Sequence, residues 1–363
     1  MSMPADPSKA MERQLKYSQA IHEATDLCME RDASVHLLGL GVPDPKGVFG
    51  TTAGLQEKFG ADRVTDMPAS ENGMTGVAIG SALMGTRPIM VHQRLDFALL
   101  AIEQIVNQAA KWHYMFAGKM RVPLVIRMLV GRGWGQGPQH SQSLHSWFAH
   151  VPGLRVVVPA TPYDAKGLLI SSVEDDNPVI CVEHRWLYNV SGPVPESVYH
   201  VPLGQARVLR DGSDLTIVSC SYMTLEALRA ADALAAIGVE AEVVDLRSIR
   251  PWDEDLVLES VHKTGRLLFV DMSWKTMGFG AEVVATVAEH LWGELKVAPR
   301  RVGFPECPVP TSPALTKNYY PRAVDVLATA AEMMQIEPVS SMLLPDEVGQ
   351  PLDVPDPSFT GPF

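Results

Sequence analysis

The chain has 363 residues, of which 46% are hydrophobic and 20% are charged, and its formal net charge is -12 at pH 7. This length fits about two globular domains, and an acidic balance without a Lys/Arg cluster argues against a nucleic-acid-binding surface. There is no signal-peptide core, no apolar run near the roughly 20 residues of a membrane span and no C-x-x-C pair. We therefore expect a cytoplasmic protein with reduced cysteines, without a nucleic-acid or membrane partner.

Continuous apolar runs recur in the first half of the chain, and a helix-like segment follows each of them. The runs are SVHLLGL (34–40), RPIMVHQ (87–93), VPLVIRMLV (122–130), LRVVVP (154–159) and PVICVE (178–183). Unbroken rather than alternating hydrophobicity is typical of strands that are covered on both faces. The sequence therefore predicts a parallel α/β domain over residues 17–190, after an amino-terminal arm over residues 1–16.

Two helices of this domain attract attention. One begins at Glu71 and consists almost wholly of Gly, Ala, Ser, Val, Ile and Met, where an ionised carboxylate is costly to desolvate without a hydrogen-bond partner. We therefore expect a partner for Glu71. The other helix, over residues 97–116, has apolar residues at the spacing of a core-facing stripe; these are Ile102, Ile105, Val106 and Ala109.

The second half of the chain begins with a proline-rich break, and residues 191–206 suit a linker between domains. Beyond it, the runs DLTIVSC (214–220), VEAEVVDL (239–246) and RLLFVDM (266–272) alternate with helix-like segments. This predicts a second α/β domain over residues 207–337 and a proline-rich, extended arm over residues 338–363. The predicted fold class is α/β, with two open parallel sheets flanked by helices.

Glycine patterns do not indicate a nucleotide site, because Asp44 stands where the third glycine of G-x-G-x-x-G should be. The stretch GRGWGQGPQHSQSLHSWFAH (131–150) has four alternating glycines, which predict a mobile loop or a close backbone approach. His140, His145 and His150 lack a second ligand cluster at the usual zinc spacing. A general acid or hydrogen-bond donor role for His140 is therefore favoured over a metal site.

A family resemblance joins these motifs. In order, PASENG, RPIMVHQRLDF, QIVNQAAK, the glycine loop with HSQS, WFAHVPGLRVVVP, DLRSIRPWD and VPTSPAL resemble the beta subunit of the thiamine diphosphate-dependent 2-oxo acid dehydrogenases. This family includes pyruvate, branched-chain 2-oxo acid and acetoin dehydrogenases. The resemblance covers about Tyr17 to Met334 and implies a pyrimidine-binding domain followed by a transketolase C-terminal-like domain.

The resemblance also implies roles for particular residues. Glu71 matches the glutamate that hydrogen-bonds a ring nitrogen of the cofactor's aminopyrimidine, and Phe97 matches the aromatic residue near that ring. His140 matches the loop histidine associated with acyl transfer to a lipoyl group. A potassium site that braces this domain in several relatives is matched by Leu124, Ser172, Asp175 and Asn177.

A partner is implied because the family's diphosphate and magnesium motif, G-D-G followed by an Asn pair, is absent from this sequence. An alpha-type subunit in an α2β2 heterotetramer would hold both groups, with a small 2-oxo acid as substrate and a lipoyl acyltransferase core as acceptor. The chain departs from the family at Leu40 and Gly41, which replace an acidic pair, and at Arg94 and Trp134. These departures keep an alternative open: a subunit of a split transketolase-like or acyloin-forming thiamine enzyme.

Overall fold

The computed structural model describes residues 13–133, 136–316 and 318–336, which form two compact units. The first unit contains the described residues up to Gly131 together with Trp147–Leu203. The second unit contains Arg132–Ser146 and the described residues from Gly204 onwards. The predicted carboxy-terminal arm and residues 1–12 of the predicted amino-terminal arm lie outside the described residues.

The elements up to Leu203 begin with a short strand. The strands are β1 (Gln14–Lys16), β2 (Val35–Gly39), β3 (Val64–Thr65), β4 (Arg87–His92), β5 (Val125–Val130), β6 (Arg155–Val157), β7 (Val179–His184) and β8 (Ser191–Pro193). The α-helices are α1 (Tyr17–Arg31), α2 (Leu55–Phe59), α3 (Glu71–Leu83), α4 (Leu95–Ala98), α5 (Trp112–Met115), α6 (His145–Ala149) and α7 (Pro162–Glu174).

In the first unit, a parallel sheet has the strand order β6-β7-β5-β4-β2-β3. Every residue of the central strands β5 and β7 is buried, which agrees with their unbroken hydrophobicity. β1 and β8 pair separately and antiparallel, so part of the predicted linker belongs to a strand. All connections from the parallel strands emerge at one edge of the sheet, where ligands bind in folds of this kind.

The predicted helix over residues 97–116 is not one continuous α-helix. Helix α4 runs into a 3-10 turn at Leu99–Ala101, a π-helix follows at Gln104–Ala109, and α5 ends the segment. π-helical turns widen a helix by one residue and rotate the faces on either side of it. For this reason Ile105 and Ala109 are buried as predicted, whereas Ile102 and Val106 are only half-buried.

The second unit repeats the α/β pattern. Its strands are β9 (Arg207–Arg210), β10 (Leu215–Ser219), β11 (Ala241–Asp245), β12 (Ser248–Arg250), β13 (Leu267–Trp274) and β14 (Arg300–Phe304). Its helices are α8 (Met223–Ala235), α9 (Glu254–Thr264), α10 (Phe279–Leu291), α11 (Pro313–Thr316) and α12 (Ala323–Met334). The sheet order is β14-β13-β10-β11-β9, and only β9 is antiparallel to its neighbour. The predicted fold class is confirmed.

The glycine-rich segment is placed differently from the sequence prediction, which included it in the first domain. Residues 132–146 pack with the second unit. The reason is a set of long-range contacts that the local sequence does not reveal. The Arg132 guanidinium donates to the Thr311 carbonyl at 2.7 Å, and the Ser273 hydroxyl donates to the Ser143 carbonyl at 2.9 Å.

A buried ion pair lies in the middle of the first unit. The Arg127 guanidinium on β5 contacts the Glu183 carboxylate on β7, with Nη2 to Oε2 at 3.0 Å, and both side chains are fully buried. Arg127 also donates to the Thr51 hydroxyl, and Glu183 accepts from the Tyr188 hydroxyl at 2.7 Å. The charge of Glu183 and its hydrogen bonds outweigh the effect of burial and raise the pKa of Arg127. Arg127 therefore stays charged.

Removal of one member of this pair should destabilise the first unit strongly. For Glu183→Gln we expect a loss of about 3–5 kcal/mol in the free energy of unfolding, because the Arg127 charge would remain buried without its counter-ion. Urea unfolding of the chain measures this. The control is Glu240→Gln in an exposed pair with Arg210, where we expect about 0–1 kcal/mol. Equal effects of the two substitutions would contradict the prediction.

Candidate active site

Glu71 is the first residue of α3 and is half-buried. A carboxylate at a helix amino terminus is favoured by the helix dipole, which explains its place electrostatically. The preceding Ser70 makes no side-chain capping bond, and among the described residues no hydrogen bond or ion pair reaches the Glu71 carboxylate. The partner that the sequence led us to expect is therefore not a described residue of this chain. The carboxylate is available to a ligand.

The face of α3 that carries Glu71 packs on strand β4. Thr75, one turn beyond Glu71, is buried and donates its hydroxyl hydrogen to the Met90 sulfur at 3.3 Å. The His92 ring nitrogen Nε2 lies 3.5 Å from the same hydroxyl. Burial lowers the pKa of His92 to about 4, so its ring is neutral at physiological pH. Neutral groups thus support the helix turn behind Glu71.

Phe97 lies at the same edge of the sheet as Glu71. It belongs to α4, which follows β4, whereas Glu71 follows β3, and helices α3 and α4 are in contact. Both residues therefore stand beyond the carboxyl ends of parallel strands, where two helices meet. Both residues are half-buried, and a shared role at the cofactor's pyrimidine stays a prediction.

The loop after β2 contains the Leu40 and Gly41 that depart from the family pattern. Gly41 has a positive φ of 71°, and its N–H donates to the Asp66 carboxylate at 2.9 Å. The Gln93 side chain donates to the Leu40 carbonyl at 2.8 Å. Backbone groups of this loop are thus bound by side chains that precede Glu71 and Phe97, so the loop is fixed without an acidic pair of its own.

Sequence reasoning missed a cationic cluster at this edge. Arg94 and Arg185 are both buried, and each guanidinium carbon faces the Phe49 ring, at 5.9 and 4.5 Å from its centroid. Arg94 also donates to the Gly131 carbonyl at 3.0 Å. Burial, reinforced by the nearby charge of Arg94, lowers the pKa of Arg185 to about 9. The unusual Arg94 was the only sequence signal for this cluster.

His140 belongs to the second unit, in the segment 132–146, and is half-buried. Its backbone N–H donates to the Gly137 carbonyl at 3.1 Å. Gly137 itself is pressed against Thr311, because a Cβ atom there would lie 2.0 Å from the Thr311 hydroxyl oxygen. The predicted close backbone approach in this glycine-rich stretch is therefore found at Gly137, three residues before His140.

A second histidine of this segment forms a buried cluster that sequence spacing did not reveal. His145 Nε2 lies 2.8 Å from Asp271 Oδ2 on β13, and the Cys220 thiol donates to Asp271 Oδ1 at 3.5 Å. All three side chains are buried, and their ligand atoms lie within 4.8 Å of one another. Burial and the charge of Asp271 raise the pKa of Cys220 well above its usual range. Because the thiol stays protonated and the carboxylate accepts from both neighbours, the cluster is hydrogen-bonded.

The four residues matched to a potassium site lie near one loop but are already engaged. Asp175 accepts from the Asn177 backbone and side chain at 2.8 Å, and its other carboxylate oxygen lies 3.1 Å from Arg155. Arg87 donates to the Asp175 carbonyl at 3.1 Å. Ser172 donates to the Leu168 carbonyl, and Leu124 accepts from the Val179 N–H. Arg155 is thus at the Asp175 carboxylate and Arg87 at its backbone carbonyl, and the potassium site stays a prediction.

Comparison with known proteins agrees with this geometry. Residues 13–191 match the family "Transketolase, pyrimidine binding domain", and residues 204–326 match "Transketolase, C-terminal domain". The beta subunit of acetoin:2,6-dichlorophenolindophenol oxidoreductase from Cupriavidus necator is 46% identical over 90% of this chain and 99% of its own length. The pyruvate dehydrogenase E1 component subunit beta from Rickettsia felis is 40% identical over 86% and 96%. This chain belongs to that family of beta subunits.

Other relatives support the same assignment. The acetoin:2,6-dichlorophenolindophenol oxidoreductase subunit beta of Bacillus subtilis is 39% identical over 89% of this beta subunit and 98% of its own length. A solved structure described as a split gene transketolase, an inactive beta4 tetramer, gives a TM-score of 0.71 at 24% identity, covering 89% of this chain and 99% of that one. The likeness to the split gene transketolase structure supports the fold alone. The family resemblance drawn from the sequence is confirmed.

Thiamine diphosphate fits the residues of this beta subunit on the pyrimidine side. An available carboxylate on α3, in contact with the helix α4 that carries Phe97, suits a flat heterocycle whose ring nitrogen can form a hydrogen bond with Glu71. Among the described residues, no helix is both long enough and apolar enough to cross a membrane.

The His145–Asp271 pair predicts a pH dependence of the segment around His140. Burial alone would lower the pKa of His145, but the charge and hydrogen bond of Asp271 outweigh burial and raise it. A histidine whose pKa is raised by folding stabilises the folded state fully at pH values below its pKa in the unfolded chain, about 6.5. This stabilisation is lost as pH rises through the pKa that the histidine has in the folded state.

We therefore expect hydrogen exchange of residues 140–146, corrected for intrinsic rates, to report more frequent opening at about pH 8.5 than at about pH 6. Mass spectrometry of peptides from this segment provides the measurement. In Asp271→Asn this pH dependence should disappear, because the charge that raises the pKa is gone. Constant protection in the unmodified protein across this range would contradict the prediction.

Proposed function

We propose that this beta subunit, together with an alpha-type subunit, decarboxylates a 2-oxo acid and transfers the remaining acyl group to a lipoyl domain. The observation that carries the proposal is the available Glu71 carboxylate at the carboxyl edge of the first unit's sheet, where α3 contacts the helix α4 that carries Phe97. The 38–46% identity to E1 and acetoin dehydrogenase beta subunits supports it. The relatives do not favour the split-transketolase alternative, since that likeness rests on fold alone.

When bound, thiamine diphosphate supplies a nucleophilic carbon and an electron sink. Glu71 would hold a proton at the pyrimidine nitrogen through one hydrogen bond, which a low-dielectric site strengthens. Phe97 would orient the ring by packing against it. The neutral Thr75 and His92 behind Glu71 bring no competing charge to the helix turn that carries it.

His140 would act on the acceptor. In the overall reaction the 2-oxo acid loses CO2, one sulfur of the lipoyl disulfide takes the acyl group, and the other sulfur becomes a thiol. A histidine that donates a proton to the departing sulfur lowers the barrier to opening the disulfide. A histidine on a glycine-rich segment suits a step in which a second protein must approach.

The alpha-type partner would hold the diphosphate group and magnesium, because the sequence lacks the family's motif for both. We propose an α2β2 heterotetramer with a lipoyl acyltransferase core as acceptor. The potassium site that the family resemblance implies stays a prediction, at residues where Arg155 and Arg87 contact Asp175.

Acetoin is a second candidate for the donor. Acetoin:2,6-dichlorophenolindophenol oxidoreductase beta subunits are 46% and 39% identical to this chain. In an acetoin reaction the bond that breaks joins the acyl carbon to a hydroxyalkyl group rather than to a carboxylate. Rates of dichlorophenolindophenol reduction with pyruvate and with acetoin, measured on the assembled complex, decide between the two donors.

Replacement of the Glu71 carboxylate tests the central assignment. In the assembled complex Glu71→Gln should lower donor-dependent dichlorophenolindophenol reduction about 10²- to 10⁴-fold, because the proton at the pyrimidine nitrogen is no longer controlled. The native mass should remain that of the unmodified complex. The matched control is Glu57→Gln, an exposed acid in the first turn of α2, which should keep full activity. Unchanged turnover in Glu71→Gln would remove the proposal.

Replacement of His140 separates the two half-reactions. His140→Ala should lower acylation of a lipoyl domain about a hundredfold or more, because a proton donor to sulfur is lost. Dichlorophenolindophenol reduction should stay largely intact, since that acceptor needs no disulfide opening. His150→Ala, at an exposed position nearby in sequence, is the control. Equal loss of both activities would instead assign His140 to binding of cofactor or donor.

A further inference from the structure

The segment that carries His140 is attached to the second unit on both sides of that histidine. Before it, Arg132 donates to the Thr311 carbonyl at 2.7 Å, and Gly137 is pressed against the Thr311 side chain. After it, Ser143 accepts from the Ser273 hydroxyl at 2.9 Å, and His145 pairs with Asp271 at 2.8 Å. His140 is thus bracketed by anchored residues of the same unit.

Among these contacts, the His145–Asp271 pair is the one between two ionisable side chains. The side chains of His145 and Asp271 are only 5% and 8% exposed, so water competes little with their hydrogen bond. Asp271 is held in turn by the Cys220 thiol and by its place on β13, a central strand next to β10. The pair therefore attaches the glycine-rich segment before His145 to strand β13, which is a rigid element.

We propose that His145 and Asp271 are positioning residues that fix the place of His140 for acyl transfer to the lipoyl group. This inference rests on the proposed function of His140. Neither residue needs to touch donor, cofactor or acceptor. Their effect passes through the four residues between His140 and His145, by limiting where the His140 backbone can lie.

Geometry gives the expected size of the effect. A displacement of about 1 Å in a catalytic group can cost about a hundredfold in rate. The part of the segment before His140 contains Gly133 and Gly137, and glycine restricts the backbone least of all residues. Loss of the anchor after His140 would leave the histidine held on one side only, by the contacts of Arg132 and Gly137 with Thr311. The chemical step on the acceptor should suffer, while cofactor activation in the first unit should not.

The experiment is a double-mutant cycle on the assembled complex with His140→Ala, His145→Ala and the combined variant. Each is assayed for lipoyl-domain acylation, with separate kcat and KM, and for dichlorophenolindophenol reduction. His145→Ala should lower kcat for acylation by about ten- to a hundredfold, with KM for the lipoyl domain and dye reduction changed less than about twofold. Added to His140→Ala, it should have no further effect, because it acts only through His140.

A conservative variant shows whether a loss of activity in His145→Ala comes from misfolding. His145→Gln keeps an N–H donor for Asp271 without the positive charge, and it should recover acylation to within about threefold of the unmodified complex. His150→Ala is the matched control, because it changes an exposed histidine in the next part of the chain. If His145→Ala fails to assemble, His145→Gln together with Asp271→Asn supplies the same comparison, and loss of acylation only in the latter supports the proposal.

Three results would overturn the inference. Multiplicative effects of His140→Ala and His145→Ala would mean independent roles, and equal losses of acylation and dye reduction would mean a general structural role. Full acylation activity in both His145→Ala and Asp271→Asn would mean that the pair positions nothing. If His140→Ala itself leaves acylation intact, the proposed function of His140 fails and the inference falls with it. Loss in His140→Ala alone overturns only the inference.

Discussion

The Arg127–Glu183 ion pair is the constraint on which the candidate site in the first unit depends. It joins the two central strands of the sheet, and its hydrogen bonds extend to Thr51 in the loop region after β2 and to Tyr188 after β7. Fully buried charges tolerate little displacement, because each lost contact leaves a desolvated group unsatisfied. The strand ends beyond this pair are therefore held in one arrangement, and the residues that follow them, such as Arg185, are placed accordingly.

The two proposed activities of the site are divided between the two units. Glu71 and Phe97 belong to the first unit, beyond the carboxyl ends of β3 and β4, and their surroundings are neutral or cationic. His140 belongs to the second unit, where its neighbours in sequence are bound to β13 and to Thr311. Donor chemistry and acceptor chemistry can thus be altered separately, since each depends on the packing of a different hydrophobic core.

Local sequence patterns revealed the strands, the alternation with helices and the acid at the start of α3, because these features depend on neighbouring residues. The straight helix over residues 97–116 came from periodicity, which does not register a π-helical turn, whereas the potassium ligands came from the family resemblance and stay a prediction. Pairs such as His145 and Asp271 lie 126 positions apart, and no spacing rule connects them. The same holds for the stacking of Arg94 and Arg185 on Phe49. Long-range side-chain contacts therefore account for most of what the sequence alone did not reveal.

The placement of the segment 132–146 has a consequence for how such enzymes diversify. Although the segment is encoded within the first domain, its contacts are with residues beyond Gly204. A recombination event that exchanges only the carboxy-terminal half would break these contacts, and the two parts of the chain must therefore change together. Covariation between positions 132–146 and positions such as 271, 273 and 311 is the evolutionary trace that this arrangement would leave in related genes.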